Sequence, residues 1–206
     1  MAANHSLPPV SGRGVGAVVT AIRLSEQSVS AVLSSNKIPT FAAMRKNKAV
    51  FLDRDGVLNQ ELGDYVCRVE DFVVLEHNFK PLKELQDRGY LLIVITNQGG
   101  LAKKWYTEDD LQSMHKKLRE AYEANGIQLA EIYYCNHHPE YTSKCLCRKP
   151  GSLMLEKAAA RFDAEPSKSY FIGDRERDVL AGEAAGITGI LINSDQPISE
   201  VLHLID

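Results

Sequence analysis

The stretch AVFLDRDG at residues 49–56 decides the fold, because it joins a buried strand directly to a pair of acids. Four consecutive apolar residues predict a short strand that is covered on both faces. Asp53 and Asp55 follow at once, and Gly56 allows the chain to bend sharply after them. Ligands of α/β proteins bind at the carboxyl ends of such strands, so the stretch also predicts where the functional site lies.

The rest of the chain repeats this alternation of strand and helix. Apolar runs predict four further strands, at 90–96, 131–135, 169–173 and 189–193. Apolar residues at helical spacing predict four helices, at 79–88, 107–125, 152–162 and 176–185. Strands separated by helices predict an α/β fold, a doubly wound (Rossmann-like) parallel sheet with helices on both faces.

The composition indicates one globular domain that follows an N-terminal extension. Of the 206 residues 44% are hydrophobic and 25% charged, and the net charge of −3 argues against nucleic acid or a membrane as partner. No apolar run reaches the roughly 18 residues of a transmembrane helix. Residues 1–45 weakly resemble an organelle transit peptide, but we favour an untidy extension upstream of a natural start at Met44. The domain then spans 46–206.

Polar side chains end four of the predicted strands, and the sheet would bring them to one edge. Asp53 and Asp55 follow the first strand, and Thr96, Asn97 and Gln98 end the second. Arg148 and Lys149 come after the cysteine loop that follows the third strand, and Asp174 and Arg175 follow the fourth, with Asp178 one helical turn later. Clustered carboxylates repel one another unless a cation joins them. Mg²⁺ prefers one or two carboxylates together with water and phosphate oxygens. The edge therefore predicts a magnesium-dependent site for a phosphate ester.

An aspartate nucleophile fits this set of residues. Asp53 can attack phosphorus to give an aspartyl-phosphate, while Asp55 protonates the leaving oxygen and later activates water. Thr96 and Lys149 would bind the remaining phosphate oxygens. For Asp174 and Asp178 the competing interpretation is a helix N-terminus stabilised by acids, which explains Asp178 better than Asp174.

A second metal site is predicted from four soft donors in one loop. Cys135, His137, Cys145 and Cys147 offer three thiolates and an imidazole, a tetrahedral set for structural Zn²⁺. Free thiols and a disulfide remain as alternatives. His138 is the weaker candidate ligand, and Cys67 lies far along the chain and is interpreted as an ordinary thiol.

These motifs resemble the four ordered motifs of the haloacid dehalogenase superfamily of phosphatases: FLDRDGV at 51–57, Thr96, Lys149, and Asp174 with Asp178. The segments YYCNHHP at 133–139 and CLCRKP at 145–150 resemble the zinc loop of its heptose-bisphosphate phosphatases. Histidinol-phosphate phosphatases of the same branch carry a similar, usually shorter loop. The segments GDYV at 63–66 and TNQGGLA at 96–102 favour the heptose family.

The resemblance covers residues 47–195 with three departures. Arg175 stands where lysine is common, Gly99 stands where serine is common, and one additional residue precedes Tyr65. The 43 positions from Asp53 to Thr96 and the 53 from Thr96 to Lys149 leave no room for a cap domain. An open site is therefore expected, shaded only by loops 60–66, 98–106 and 136–147.

The resemblance implies the role of each site residue. Mg²⁺ would be held by Asp53, Asp174 and Asp55, the last through its backbone carbonyl, while Asp178 would orient Lys149. Arg148 and Arg175 are candidates for binding a second phosphate, although Arg175 could equally form surface salt bridges. The implied substrate contacts are Glu61, Gly63, Asp64, Tyr65, Thr96, Asn97, Gln98, Gly99, Arg148, Lys149 and Arg175.

The resemblance also implies a cytoplasmic enzyme that acts on a small sugar phosphate at the 7-phosphate of a heptose 1,7-bisphosphate. An uncapped domain of this size can act as a monomer, which is the expected oligomeric state. Two alternatives stay open. One is a phosphatase for histidinol phosphate, and the other is a zinc-stabilised module that keeps the fold without chemistry.

Overall fold

The computed structural model describes residues 47–206, which contain every predicted strand and helix. The extension predicted at 1–45, with the proposed start at Met44, lies outside the described residues. The described chain forms one parallel sheet with the strand order β3-β2-β1-β4-β5. Its strands are β1 Lys48–Leu52, β2 Tyr90–Asn97, β3 Leu129–Cys135, β4 Tyr170–Gly173 and β5 Thr188–Leu191. The doubly wound α/β fold expected from the sequence is confirmed.

Four helices coincide with the predicted ones to within two residues at each end, and two short helices were not predicted. The six are α1 Phe79–Asp87, α2 Gly100–Lys103, α3 Glu108–Ala124, α4 Pro139–Thr142, α5 Leu153–Arg161 and α6 Glu176–Ala184. The segments 98–106 and 136–147, expected to be loops, therefore contain α2 and α4. A helix of four residues is too short to show an apolar period, so periodicity cannot reveal it. Single 3₁₀ turns occur at Val69–Asp71, Glu76–Asn78, Pro166–Lys168, Ile198–Glu200 and Leu202–Leu204.

Two apolar cores lie on opposite faces of the sheet. Val50 and Leu52 of β1 belong to the core that contains the buried faces of α1 and α3. Ala49 and Phe51 belong to the other core, which contains residues of α5 and α6. Side chains of a strand alternate between its two faces, so a strand covered on both faces must be apolar at every position. This is why β1 could be recognised as an unbroken apolar run.

The helix α3 starts at the residue that the sequence indicates. The Thr107 hydroxyl oxygen accepts a hydrogen bond from the Asp110 backbone N–H at 3.2 Å, and an Asp110 carboxylate oxygen accepts from the Thr107 N–H at 2.8 Å. This reciprocal capping box satisfies two donors that the first turn of a helix leaves unpaired. It fixes the beginning of the helix that carries His115 toward the site.

The carboxyl edge of the sheet is open in the described part of the chain. Between Asp53 and Lys149 the chain forms only the strands, helices and turns named above, and none of them builds a separate cap domain. Within residues 47–206, no helix combines the length and the apolar character needed to cross a membrane.

Candidate active site

Asp53 lies at the floor of the site, immediately after β1. Its backbone N–H donates to the Ile172 carbonyl of β4 at 2.9 Å, which ties the residue to the edge of the sheet. Its side chain is almost fully buried, and one carboxylate oxygen accepts from Lys149 Nζ at 2.8 Å and from the Arg54 N–H at 2.7 Å. The carboxylate is therefore held in one orientation by two donors.

Lys149 is a buried cation with three acceptors. Its ammonium group lies 2.8 Å from Asp53 Oδ1, 2.8 Å from Asp178 Oδ1 and 2.8 Å from the Ile95 carbonyl. The Asn97 side chain forms two hydrogen bonds with the Lys149 backbone. Its amide N–H donates to the Lys149 carbonyl at 3.2 Å, and its amide oxygen accepts from the Lys149 N–H at 3.0 Å. A buried charge is tolerated only when it is paired and fully hydrogen-bonded, and Lys149 meets that condition.

Three carboxylates of the site are grouped closely enough to hold a cation. Asp53, Asp174 and Asp178 each offer an oxygen, and these atoms lie within 4.8 Å of one another. Burial raises the pKa of Asp53 to about 7, Lys149 opposes this rise, and the Asp178 charge adds to it. Burial also raises the pKa of Asp174. Oxygen donors of this kind, held close together against their repulsion, fit the requirements of Mg²⁺.

The Asp174 carboxylate is fixed by neighbours on both sides. Ser194 Oγ donates to Asp174 Oδ2 at 2.6 Å, and Arg175 Nε lies 3.2 Å from the same oxygen. Gly56 has φ +77°, and a Cβ at this position would lie 2.5 Å from Asp174 Oδ2. Ser194 was not among the predicted site residues, although it follows the fifth strand at the same edge of the sheet.

The Asp55 carboxylate accepts hydrogen bonds from a different set of residues. Arg54 Nη2 donates to both of its oxygens, at 2.8 and 3.1 Å, while Asn59 Nδ2 donates at 3.0 Å and Gln98 Nε2 at 3.1 Å. Burial opposes ionisation of this carboxyl, but the Arg54 charge and these hydrogen bonds outweigh it and hold the pKa of Asp55 below its ordinary value. The carboxylate is thus placed by donors, outside the group formed by the other three acids.

Arg54 connects Asp55 to the helix α3. Its guanidinium is fully buried, and Nη1 lies 3.3 Å from Nε2 of His115. Burial, together with the nearby Arg54 charge, lowers the pKa of His115 to about 3, so the imidazole is neutral. Since a guanidinium can only donate, Nε2 of His115 must be the acceptor. Neither residue was predicted to have a role, because the contact joins positions 61 residues apart.

A cleft opens above these residues, and most of the predicted substrate contacts line it. Gln98 and Lys149 are buried beneath it and hold Thr96, Asp55 and Asp53 by hydrogen bonds. Arg175 is absent from the lining, because it is turned toward Asp174 and Glu61. The cleft is lined by Asp53, Arg54, Asp55, Glu61, Gly63, Asp64, Tyr65, Val66, Thr96, Asn97, Arg148, Asp174 and Arg177. Arg54, Val66 and Arg177 were not predicted.

Aromatic rings form one wall beside the cleft. The Tyr65 ring packs edge-to-face against Trp105 with 5.1 Å between centroids, and Lys103 Nζ lies 4.5 Å from the centroid of Trp105. Gly99 is close to the same wall, since a Cβ there would lie 3.0 Å from the Tyr65 hydroxyl and 3.1 Å from Arg148 Nη1. A serine at position 99 would therefore crowd two residues of the cleft.

The four predicted soft donors lie together. Sulfur–sulfur distances among Cys135, Cys145 and Cys147 are 3.2 to 3.6 Å, and His137 Nδ1 lies 3.6 Å from Cys135 Sγ and 3.4 Å from Cys147 Sγ. Four ligands at the usual Zn–S distance of about 2.3 Å would be about 3.7 Å apart. All four described cysteines are free thiols, so the disulfide alternative is not supported.

The segment 135–147, which carries this cluster and is called the zinc loop below, also holds Arg148. The Arg148 backbone N–H donates to Cys145 Sγ at 3.4 Å, and its Nη1 donates to the His137 carbonyl at 3.2 Å. His138 lies outside the cluster and caps α4 instead, where Nδ1 accepts from the Glu140 N–H. Cys67 is separate from the cluster, and its Sγ lies 3.4 Å from the Tyr65 carbonyl.

Sequence comparisons place this chain among known phosphatases. A family model described as HAD-hydrolase-like matches residues 146–202. A D-glycero-beta-D-manno-heptose-1,7-bisphosphate 7-phosphatase from Haemophilus ducreyi is 43% identical, with 74% of this chain and 86% of the relative covered. A D-glycero-alpha-D-manno-heptose-1,7-bisphosphate 7-phosphatase from Photorhabdus laumondii is 37% identical, with 75% and 87% covered.

A solved structure agrees with these relatives. The crystal structure of D,D-heptose 1,7-bisphosphate phosphatase from B. bronchiseptica, complexed with magnesium and phosphate, aligns with a TM-score of 0.67. Its sequence is 29% identical, and the alignment covers 74% of this chain and 86% of that one.

Proposed function

Because the chain belongs to the haloacid dehalogenase superfamily, and within it to the family of heptose-bisphosphate phosphatases, we propose that it removes the 7-phosphate of D-glycero-D-manno-heptose 1,7-bisphosphate. The chain is a phosphatase, and the proposal concerns its substrate, its metals and its residues. The relatives named above include enzymes for both the alpha and the beta anomer. An assay with both anomers therefore distinguishes the two substrates.

The observation that carries the chemistry is the Asp53 carboxylate at the floor of the cleft, bound by Lys149 and grouped with Asp174 and Asp178. We propose that Asp53, Asp174 and the backbone carbonyl of Asp55 hold Mg²⁺. The metal would neutralise charge on the transferring phosphoryl group. The B. bronchiseptica structure, which contains magnesium and phosphate, supports this choice of ion.

Two steps complete the reaction. An oxygen of Asp53 attacks phosphorus, the bond from phosphorus to the sugar oxygen breaks, and Asp55 gives its proton to that oxygen. Water then attacks the aspartyl-phosphate, Asp55 takes a proton from the water, and phosphate leaves. Thr96 and Lys149 would bind the phosphoryl oxygens, because both lie at this floor, and Lys149 would exchange one of its three present acceptors for a phosphoryl oxygen. The approach of an anionic phosphate raises the pKa of a nearby carboxyl, which would let Asp55 carry the first proton.

The remaining predicted residues have supporting roles in this proposal. Zn²⁺ bound by Cys135, His137, Cys145 and Cys147 would stiffen the zinc loop that presents Arg148 and Lys149. Residues 61–65, Asn97, Gln98 and Gly99 would shape the part of the cleft that receives the sugar. Asp178 would hold Lys149 against Asp53, since it shares that ammonium group.

We also propose that the enzyme acts as a cytoplasmic monomer on a small sugar phosphate, without nucleic acid or membrane as partner. The net charge of −3 supports the exclusion of polyanionic partners. Light scattering of the purified protein tests the monomer, since a particle of twice the chain mass would contradict it.

The test of the substrate is phosphate release, with Mg²⁺, from the two anomers of heptose 1,7-bisphosphate and from histidinol phosphate in parallel. We expect a specificity constant at least about 100-fold higher for one bisphosphate, equivalent to about 2.7 kcal/mol in the transition state. The reverse preference would replace the proposed substrate with histidinol phosphate. Asp53→Asn should lower turnover by about 1000-fold or more, and unchanged turnover would refute the nucleophile.

A further inference from the structure

We infer that Tyr106 is a positioning residue, whose hydroxyl fixes the buried amide of Gln98 so that this one amide places both Asp55 and Thr96. The inference rests on the proposed function, in which Asp55 protonates the leaving oxygen and Thr96 binds the phosphoryl group. It assigns no contact with substrate to Tyr106 itself. It concerns how the acid is held beside the cleft, rather than what the cleft binds.

The orientation of the Gln98 amide follows from its neighbours. Its Nε2 lies 3.1 Å from Asp55 Oδ2 and 2.9 Å from Thr96 Oγ1. An ionised carboxylate can only accept hydrogen bonds, so the atom that faces Asp55 must be the amide nitrogen. The amide oxygen Oε1 therefore faces the other way and lies 2.6 Å from the Tyr106 hydroxyl. Since an amide oxygen can only accept, the Tyr106 hydroxyl is the donor.

Both partners of this hydrogen bond are buried. Gln98 is 1% exposed and Tyr106 is 5% exposed. Burial raises the pKa of the Tyr106 hydroxyl above its ordinary value, so the phenol stays a neutral donor. Within residues 47–206, Tyr106 supplies the one hydrogen bond that Gln98 Oε1 accepts. Loss of that donor would leave a buried acceptor without a partner, which is costly enough to move the amide.

The local chain brings the Tyr106 ring to this place. Tyr106 precedes Thr107, the residue that caps α3, and Lys104 turns the chain before it with φ 59°. The ring passes over Gly100 of α2, where a Cβ would overlap its edge. The missing side chain at position 100 therefore lets the ring reach Gln98.

The Gln98 amide ties the acid to the strand that carries the phosphate donor. Arg54 and Asn59, which also donate to the Asp55 carboxylate, belong to the segment 53–59 that follows β1. Gln98 directly follows β2, so its hydrogen bond fixes Asp55 relative to Thr96. Because the Thr96 oxygen accepts from Gln98, its hydroxyl hydrogen remains available to a phosphoryl oxygen. One amide group thus sets the geometry of proton transfer and of phosphate binding.

The test uses two small substrates of the same charge, phenyl phosphate and p-nitrophenyl phosphate. Phenol is the weaker acid of the two leaving groups, so its departure depends more strongly on a proton from Asp55. The readout is kcat/KM for phenyl phosphate divided by kcat/KM for p-nitrophenyl phosphate, a ratio in which effects on phosphate binding cancel. Tyr106→Phe should lower kcat/KM about 10- to 30-fold for phenyl phosphate and about threefold for p-nitrophenyl phosphate. The ratio should therefore fall about 3- to 10-fold.

Two further variants show whether Tyr106 acts through the amide. Gln98→Met should lower the ratio at least as much as Tyr106→Phe, and the double variant should stay within about twofold of Gln98→Met. Tyr122→Phe is the matched control, because it removes a buried hydroxyl that has no partner among the described residues, and it should leave the ratio unchanged. An unchanged ratio in Tyr106→Phe, or a further fall in the double variant, overturns the inference.

Asp55→Asn distinguishes a failure of this inference from a failure of the proposed function. An acid at Asp55 predicts that Asp55→Asn lowers the ratio more than Tyr106→Phe does. If Asp55→Asn leaves the ratio unchanged, the proposed acid is wrong and the inference is overturned with it. If Asp55→Asn lowers the ratio and Tyr106→Phe does not, the inference alone is overturned. Neither substrate is a sugar, so these outcomes do not depend on the heptose assignment.

Discussion

At the scale of single residues, Gly56 and Gly63 share a backbone conformation but not their surroundings. Both have φ +77°, a region that side chains rarely adopt. A Cβ at Gly56 would lie 2.5 Å from Asp174 Oδ2, whereas a Cβ at Gly63 would meet no atom within 4 Å. The pair therefore separates the effect of backbone strain from the effect of crowding at the candidate magnesium site.

We expect Gly56→Ala to lower the free energy of unfolding by about 2–4 kcal/mol, and Gly63→Ala by about 1 kcal/mol. Only Gly56→Ala should also raise the Mg²⁺ concentration that gives half-maximal activity, because its methyl group displaces Asp174. Urea unfolding and a magnesium titration measure the two effects. Equal magnesium dependence in both variants would show that Asp174 tolerates the displacement.

His115 provides a second prediction at this scale, because it reaches the acid Asp55 only through Arg54. His115→Leu leaves a buried guanidinium N–H unpaired, at a cost of about 1–3 kcal/mol, and frees Arg54 to move. We expect kcat to fall about 10- to 100-fold with KM within about threefold of wild type, because Asp55 acts in proton transfer rather than in substrate binding. Steady-state kinetics measure the changes in kcat and KM separately.

The control for this prediction lies on the same helix. Tyr122 is buried in the core, and its hydroxyl has no hydrogen-bond partner among the described residues. Tyr122→Phe should leave kcat unchanged, and His115→Gln should recover part of the loss by restoring an acceptor. If kcat falls in proportion to the loss of stability in both His115→Leu and Tyr122→Phe, then His115 contributes only to the packing of the core.

At the scale of elements, the zinc loop links the cluster of Cys135, His137, Cys145 and Cys147 to the cleft through Arg148. We expect the wild type to bind about one equivalent of zinc. Cys147→Ser removes one of the four donors, and we expect this variant to lose the zinc. The melting temperature should fall by about 4–8 °C for a loss of about 2 kcal/mol. KM for the bisphosphate should rise, because Arg148 loses its contacts to Cys145 and His137.

Cys67→Ser is the matched control for the zinc loop, because Cys67 is a half-buried thiol outside the cluster. Elemental analysis, thermal melting and kinetics of both variants give the comparison. If Cys147→Ser retains zinc, or if KM rises equally in Cys67→Ser, then the rise in KM does not come from a loss of metal at the cluster that positions Arg148.

At the scale of the whole molecule, residues 47–206 contain the sheet, both cores and the cleft. We expect a chain that begins at Met44 to keep the melting temperature within about 2 °C and kcat/KM within about twofold of the full chain, because β1 begins at Lys48. A chain that begins at Phe51 should not fold, since it lacks the three residues of β1 that pair with Tyr90, Leu91 and Leu92. A large loss of activity on starting at Met44 would instead assign a role to the preceding residues.

Much of this fold was predictable because β1 and β2 are unbroken apolar runs that end in polar residues. The strand ends also indicated Asp53, Thr96, Lys149 and Asp174, since parallel strands share one carboxyl edge. The pairing of Arg54 with His115 could not be predicted, because it depends on how α3 packs across 61 positions. Nor could the sequence distinguish Arg175 from Arg177, because the difference lies in where each side chain points.

The chain contains a single tryptophan, and its position gives the molecule an optical reporter of its own cleft. Trp105 is 48% exposed, and its ring meets the edge of Tyr65, a residue of the cleft lining. Indole emission responds to the polarity and charge around the ring, and the ammonium of Lys103 lies 4.5 Å from it. A ligand that moves Tyr65 or Lys103 should change the fluorescence of the unlabelled enzyme. Stopped-flow mixing with a phosphate ester could then time binding separately from the chemistry that follows.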